Sequence, residues 1–283
     1  MKNPILRVDN LIMRFGGLIA VDDVSFNIFE DRITALIGPN GAGKTTVFNC
    51  VTGFYRPSAG QITMRVGART YRLEKLEGFK IAQRAKIART FQNIRLFRRM
   101  SVLENLIIAQ HNELMRASGF SFYGLLGSSG YLKAESNAVK LAEDWLNKIN
   151  LIDMADTEAG ELPYGSQRLL EIARAMCTKP KLLCLDEPAA GLNALESSNL
   201  AKLIKDIRDR AKCAVLLIEH DMGVVMKISD HIIVLDHGAK IADGPPMTIK
   251  NNRAVIKAYL GEDDEDCSSP PSILAHSRNT LEN

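Results

Sequence analysis

Two hydrophobic patterns divide the chain. Near the N-terminus apolar and polar positions alternate, in Ile5-Leu6-Arg7-Val8 and again in Val24-Ser25-Phe26-Asn27-Ile28. Such alternation predicts half-buried antiparallel strands. Gly16-Gly17 and Asp22-Asp23 punctuate this region as turns, and Pro57-Ser58-Ala59-Gly60 predicts a turn into a further strand, Gln61-Ile62-Thr63-Met64. Elsewhere the apolar runs are continuous: Ile33–Ile37, Leu182–Leu185 and Ala214–Ile218. Runs of that kind are buried on both faces, and a helix expected over Glu196–Lys212 separates the last two. Together they predict a parallel α/β sheet. The middle of the chain has helical periodicity. Ser101-Val102-Leu103-Glu104 has capping-box spacing and opens a run with apolar Leu103, Leu106, Ile107 and Ala109. Ala134–Ile149 predicts a second amphipathic helix. The aromatic, Gly/Ser-rich loop 117–131 lies between the two, with self-packing favoured over contact with a partner. No internal repeat is visible.

The chain has 283 residues, 46% of them hydrophobic. That suits a globular protein with a core, of one large domain or two lobes. The longest charge-free segment, Ala117–Leu132, is interrupted by Gly and Ser and reads as a loop rather than a span. Met1-Lys2-Asn3-Pro4 lacks the apolar core of a signal peptide, so a cytosolic location is expected. Cys50, Cys177, Cys184, Cys213 and Cys267 are scattered and form no C-x-x-C pair, which predicts small buried thiols and neither zinc nor a disulfide framework. Net charge is +3, unevenly spread. Residues 262–283 hold six acids and one base and predict a disordered acidic tail. Arg65–Arg99 holds eleven Lys/Arg against two Glu, which reads either as a solvated face or as a contact for lipid heads or an acidic partner.

The chemistry centres on Gly38-Pro39-Asn40-Gly41-Ala42-Gly43-Lys44-Thr45-Thr46. It fits G-x-x-x-x-G-K-[ST], between an apolar strand and a helix-compatible stretch. Glycines let backbone N–H groups turn toward phosphates, and the following helix presents its positive end. Lys44 is placed to meet the β- and γ-phosphates of a nucleotide, and Thr45 to offer a hydroxyl to Mg²⁺. The strand Leu182–Leu185 ends in Asp186-Glu187. Asp186 reads as a metal residue acting through water, and Glu187 as the base that polarises the attacking water. The strand Ala214–Ile218 ends in Glu219-His220-Asp221, where His220 becomes a candidate contact for the γ-phosphate. Gln92, in Arg89-Thr90-Phe91-Gln92, carries little signal by itself.

In order, these residues resemble the ATP-binding subunits of ABC transporters over residues 5–260, most closely the branched-chain amino acid uptake branch. Arg89–Phe97, Leu185–Asn193, Ile218–Met222 and the ending Ala258-Tyr259-Leu260-Gly261 carry the likeness. The resemblance implies the phosphate-loop ATPase fold: a parallel core sheet, an N-terminal antiparallel β subdomain and an inserted helical subdomain at about 98–178, within a domain of residues 1–261. It implies that Phe15 stacks on adenine, that Gln92 reaches Mg²⁺ and the attacking water, and that His220 is the switch histidine. Leu162-Pro163-Tyr164-Gly165-Ser166-Gln167-Arg168 stands where the family has L-S-G-G-Q, a motif that faces the phosphate loop of an opposite subunit. Pro163, Tyr164 and Ser166 depart from that pattern. Pro163 has no hydroxyl and no N–H to offer. Gly165 keeps close backbone approach open, and Ser166 is expected to cap a helix over Gln167–Cys177 whose apolar face is Leu169, Ile172, Ala173 and Met176. Asn193 replaces an Asp common among relatives.

The implied protein is an ATP hydrolase on the cytoplasmic face of the plasma (inner) membrane, held there peripherally. Its implied partners are two permease chains, a sister ATP-binding subunit (a heterodimer favoured over a homodimer) and, indirectly, a solute-binding protein. No nucleic acid is expected as a partner. Rival readings are the ATPase of another ABC system, such as urea, other amino acids or lipopolysaccharide, and a non-transport ABC ATPase acting on DNA or ribosomes. A kinase or GTPase reading lacks support, since the guanine-reading N-K-x-D motif is absent.

Overall fold

A computed structural model of the protein describes residues 3–117 and 129–260. In chain order its elements are β1 (Leu6–Phe15), β2 (Leu18–Ile28), β3 (Ile33–Ile37), α1 (Lys44–Val51), β4 (Ala59–Val66), β5 (Arg69–Arg72), α2 (Gly78–Arg84) and β6 (Ile87–Arg89). Then follow α3 (Val102–Ile108), α4 (His111–Ala117), α5 (Ser129–Lys148), α6 (Tyr164–Met176), β7 (Leu182–Asp186) and α7 (Ala194–Asp209). The last are β8 (Ala214–Ile218), α8 (Met222–Ile228), β9 (His231–Asp236), β10 (Ala239–Gly244), α9 (Pro246–Lys250) and α10 (Arg253–Leu260). The chain divides into two compact units. One comprises residues 1–89, 181–191 and 197–283; the other comprises 90–180 and 192–196.

The first unit holds two sheets. One has strand order β10-β9-β3-β8-β7-β6, parallel throughout except for β10, which pairs antiparallel with β9. Because β3, β8, β7 and β9 run the same way, their carboxyl ends, and the loops after them, gather at one edge. Open α/β sheets bind ligands at that edge. β3, β7 and β8 are buried at every position. Leu36 of β3 packs with Phe48 and Val51 of α1, while its neighbours Ala35 and Ile37 pack on the opposite face with Val225, Ile249 and Val255. Successive strand side chains point to opposite faces, so a strand covered on both sides must be apolar throughout.

The second sheet of this unit is antiparallel, with order β2-β1-β4-β5. Its inward residues, among them Leu6, Leu11, Val24, Phe26, Ile62 and Met64, join the same core as α1. One expected turn proves otherwise. Asp22-Asp23 lies inside β2, where the register against β1 slips between Leu11 and Met13. Asp23 has φ 50° and Asn10 φ 48°, and the Asn10 amide donates to Asp23 Oδ1 at 2.7 Å. The two polar residues form a bulge, which bends a strand without ending it.

The second unit is helical. The capping box expected at Ser101 is present: its side chain accepts from Glu104 N–H, and the Glu104 carboxylate accepts from Ser101 N–H. α5 packs on α3, α4 and α6. Asn193 and Glu196 exchange side-chain-to-backbone hydrogen bonds of 3.0 and 2.9 Å, a second capping box that opens α7. The stretch 118–128 of the aromatic loop, Gly261, and the acidic tail 262–283 lie outside the described residues.

Candidate functional site

In the first unit the loop between β3 and α1 turns through Gly41 (φ 80°) and Gly43 (φ 94°). A Cβ on Gly43 would stand 2.6 Å from the Ala20 carbonyl oxygen, so the left-handed turn and the close approach both demand glycine there. α1 starts at Lys44 with no side-chain cap. No side chain at the cap position satisfies its first N–H groups. Lys44 is buried, and its ammonium donates to the carbonyls of Gly38 and Pro39, both at 2.8 Å. Burial lowers its pKa, and the charge of Glu187 acts against that shift.

The loop forms one wall of a cavity of about 390 Å³ lined by Asn40 to Thr46, Glu187 and His220, with Leu18 to Ala20 on one side and His237-Gly238 on another. Of the expected site residues, the unit therefore brings the phosphate loop, Glu187 and His220 to one cavity. Glu187 is the residue after β7, at φ 46°, and its Oε1 lies 2.5 Å from His220 Nε2. β8 lies between β3 and β7 in the sheet, so the turn that follows it, Glu219-His220, is carried to the phosphate loop from one side and to Glu187 from the other.

Asp186 ends β7 and is buried. Burial raises its pKa, while Arg89 opposes that shift. The Arg89 guanidinium is 3.2 Å from Asp186 Oδ2 and also donates to Asn49 Oδ1 (2.6 Å) and Thr52 Oγ1 (3.1 Å) of the α1 segment. The rings of Phe48 and Phe54 flank it at 4.7 and 4.5 Å. Arg89 thus leaves the basic segment 65–99 and turns into the sheet. Other members of that segment are paired: Arg65 with Glu30, Arg72 with Glu74, Lys80 with Glu77. The segment is not one uniform free basic face.

Phe15 closes β1 and is partly exposed. Its ring meets Tyr55 edge-on at 5.3 Å, and apolar Leu18 and Ile19, not Phe15, line the loop cavity.

Gln92, Gly165 and Ser166 belong to the second unit. There Arg168 is fully buried and donates to the carbonyls of Phe91 (2.7 Å) and Gln92 (2.6 Å), to Glu171 (2.9 Å) and to the Tyr164 hydroxyl (3.1 Å). The helix expected from Gln167 with Ser166 as its cap begins earlier. Pro163 is the N-cap, the helix runs from Tyr164, and Ser166 sits inside its first turn. Proline fixes φ near the required value and its carbonyl already accepts from Gln167 N–H at 3.0 Å, so the chain turns helical one step after it. Leu169 is half-buried and Leu170 takes its place in the core. A Cβ on Gly165 would come 2.3 Å from Glu196 Oε1, which gives this glycine a local packing reason.

Residues not read from the sequence complete the picture. Arg89, Arg168 and Glu219 carried no signal because buried charges are recognised by their partners, which lie far away in the chain. His237 and Gly238 belong to the β9–β10 turn, and Gly238 N–H donates to the Ala42 carbonyl at 3.2 Å. The cysteines at 50, 177, 184 and 213 are buried and free, and burial pushes the Cys50 thiol up to about 12.

A β3–phosphate-loop–α1 unit beside two acid-tipped parallel strands defines a phosphate-loop nucleotide hydrolase. The profile of the ABC transporter family matches residues 21–190, and that of the branched-chain amino acid ATP-binding cassette transporter matches residues 239–265. This chain belongs to the ABC transporter ATP-binding family. It is 52% identical over 262 residues (93% of this chain, all of the relative) to the high-affinity branched-chain amino acid transport ATP-binding protein LivG of Salmonella typhimurium. It is 50% identical, over the same share of both chains, to BraF of Pseudomonas aeruginosa, which bears the same description. Among solved structures, it resembles a nucleotide-free ATP-binding cassette from an ABC transporter at TM-score 0.76 and 31% identity. The likeness covers 92% of this chain and all of that one. The ADP conformation of an ATP-binding cassette matches at TM-score 0.77 and 30% identity over the same shares. The chain is accordingly an ATPase subunit of a transporter. Among the described residues no helix is long and apolar enough to cross a membrane.

Proposed function

We propose that this chain powers the uptake of branched-chain amino acids (leucine, isoleucine and valine) through permease subunits supplied by other chains. The observation that carries the reading is the near-full-length identity of about one half to proteins described that way. The match of residues 239–265 to the branched-chain profile supports it from a separate part of the chain.

The mechanism follows from the site. Lys44, now held by two loop carbonyls, exchanges them for the β- and γ-phosphate oxygens of ATP, stronger acceptors for an ammonium. The N–H groups of Gly41 to Thr46 cradle the same phosphates, with Gly38, Pro39 and Asn40 shaping the entry. The donors of the first unit suit Mg²⁺: a hydroxyl on Thr45 and a carboxylate on Asp186, with no closed protein cage among the described residues, as expected of an ion that keeps waters and phosphate ligands; by the family resemblance Gln92 would add its amide. When bound, Mg²⁺ neutralises charge on the β,γ-oxygens. Glu187 takes the proton of the attacking water, and His220, hydrogen-bonded to it, orients that carboxylate and contacts the γ-phosphate. Phe15, partly exposed at the end of β1, stacks on adenine beside Leu18 and Ile19.

Two ATPase subunits sandwich ATP, each presenting its signature, Gly165 and Ser166 in this chain, to the other's phosphate loop. Closure is passed to two permease chains, with Gln92 as the sensor of their state. Pro163 weakens the site that this signature completes, so a sister ATPase with a fuller signature is the favoured partner. A solute-binding protein joins indirectly, and the subunit works peripherally at the cytoplasmic face of the plasma membrane.

The test is capture. The Glu187→Gln protein, tagged and held with ATP and Mg²⁺ in native membranes, should retain two permease chains and a second ATPase. Vesicles carrying that complex should then take up leucine, isoleucine or valine in an ATP-dependent way. Recovery of the protein alone, or with ribosomes or DNA, would refute the transport reading. Recovery of a permease indifferent to these amino acids would move the substrate elsewhere.

A further inference from the structure

β7 and β8 pair in parallel as far as Asp186 opposite Ile218, and one more ladder bond follows, from Glu187 N–H to the Ile218 carbonyl at 2.9 Å. Beyond it the backbones part. Glu187 turns into the left-handed region at φ 46°, a strained conformation for a non-glycine residue. What continues the connection is a side chain. Glu219, the residue after β8, is almost fully buried, and its Oε1 accepts from Ala189 N–H at 2.7 Å across the gap. Its Oε2 accepts from His220 N–H at 3.2 Å.

A carboxylate in this position is costly. Burial raises its pKa, and the backbone N–H groups of Ala189, His220 and Asp221 act against that shift. For filling space an apolar residue would serve better. The carboxylate has a specific use: two acceptor oxygens, fixed to one another, tie the loop after Glu187 to the loop that carries His220. Those two side chains are the pair that meet at 2.5 Å in the cavity.

We infer that Glu219 is a positioning residue that sets the reach between Glu187 and His220 by holding Ala189 and His220 on one carboxylate. The inference rests on the hydrolytic roles proposed above for Glu187 and His220. Glu219 touches no reacting atom; it acts through its neighbours. The nearest charge on its own turn, Asp221, is occupied in capping α8, accepting from Gly223 and Val224 N–H at 2.7 and 3.1 Å.

A double-variant cycle on phosphate release by the full chain, assembled with its permease, tests this. Glu219→Ala should lower kcat at least about tenfold, with KM for ATP within about twofold. Glu219→Gln keeps one acceptor oxygen for Ala189 and should fall between Glu219→Ala and the parent. In the His220→Ala background, Glu219→Ala should cost little more. A folded Glu219→Ala protein with unchanged kcat, a full multiplicative loss in the double variant, or a rise in KM matching the loss in kcat overturns the inference. Should Glu219→Ala fail to fold, Glu219→Gln carries the same cycle. His220→Ala and Glu187→Gln, measured alongside, separate the two claims: if they keep turnover, the hydrolytic reading fails; if only Glu219→Ala keeps it, the positioning role alone fails.

Discussion

The Arg89 guanidinium and the Asp186 carboxylate meet at 3.2 Å, both almost out of solvent. They bridge the end of β6 and the end of β7, neighbouring strands. Removing one member of such a pair leaves a buried charge without its partner, which typically costs about 3–5 kcal/mol. Arg89→Met should therefore shift the urea midpoint strongly downward, and Arg89→Lys, which keeps a charge but loses the fork to Asn49 and Thr52, should recover part of it. An Arg89→Met protein as stable as the parent would show that the pair contributes nothing to the fold.

Lys44 and Glu187 face one cavity but fail differently. Lys44→Ala should lose ATP affinity measured by calorimetry, because the ammonium binds ground state and transition state alike. Glu187→Gln should bind ATP normally and release phosphate about 10²–10⁴ times more slowly, the usual contribution of a positioned general base. Normal phosphate release by Glu187→Gln would remove Glu187 from the mechanism.

Pro163 caps α6 without a side-chain hydrogen bond. Pro163→Ser adds a hydroxyl that can accept from the first turn, worth about 1 kcal/mol in a helix cap. It also restores a hydroxyl where the family signature has one. Turnover of the assembled dimer should rise in this variant. A drop would mean that the proline is itself tuned to the opposite site.

Asp243 on β10 is partly buried, yet hydrogen bonds from His231 and Lys240 outweigh burial and lower its pKa. A carboxyl depressed in the folded state binds its proton more readily when unfolded. Its contribution to stability is then complete above the unfolded value of about 3.9 and fades as pH falls through the lower folded value. Acid denaturation below about pH 4 should be shallower in Asp243→Asn than in the parent. Coincident acid curves for the two proteins would show that Asp243 does not contribute.

The fold class and the residues that gather at the candidate site were legible because their determinants are local. A strand buried on both faces must be apolar throughout, and β3, β7 and β8 each read that way. The phosphate loop announces itself because Gly43 and Lys44 must be adjacent for the turn and the charge to share one place. Asp186-Glu187 and His220 were legible as polar residues in the turns that close apolar strands. Asp22-Asp23 misled, because two polar residues between apolar ones are the same word for a turn and for a bulge. The partner strand decides between them, and Asn10 on β1 supplies the bond that makes it a bulge. Ser166 misled for a similar reason: a serine before a helical run looks like a cap, but Pro163 had already set the backbone three residues earlier.

By itself, then, the chain's order of residues determined the elements, the loop chemistry and the family. Each depends on neighbours within a few positions, where spacing is enough. Tertiary structure alone decided which buried charges serve which groups: Arg89 on Asp186, Arg168 on the carbonyls of Phe91 and Gln92, Glu219 on the N–H of Ala189. These pairs join residues from 30 to 97 positions apart. A buried charge is tolerated only where folding delivers its partner, and no local pattern records that delivery.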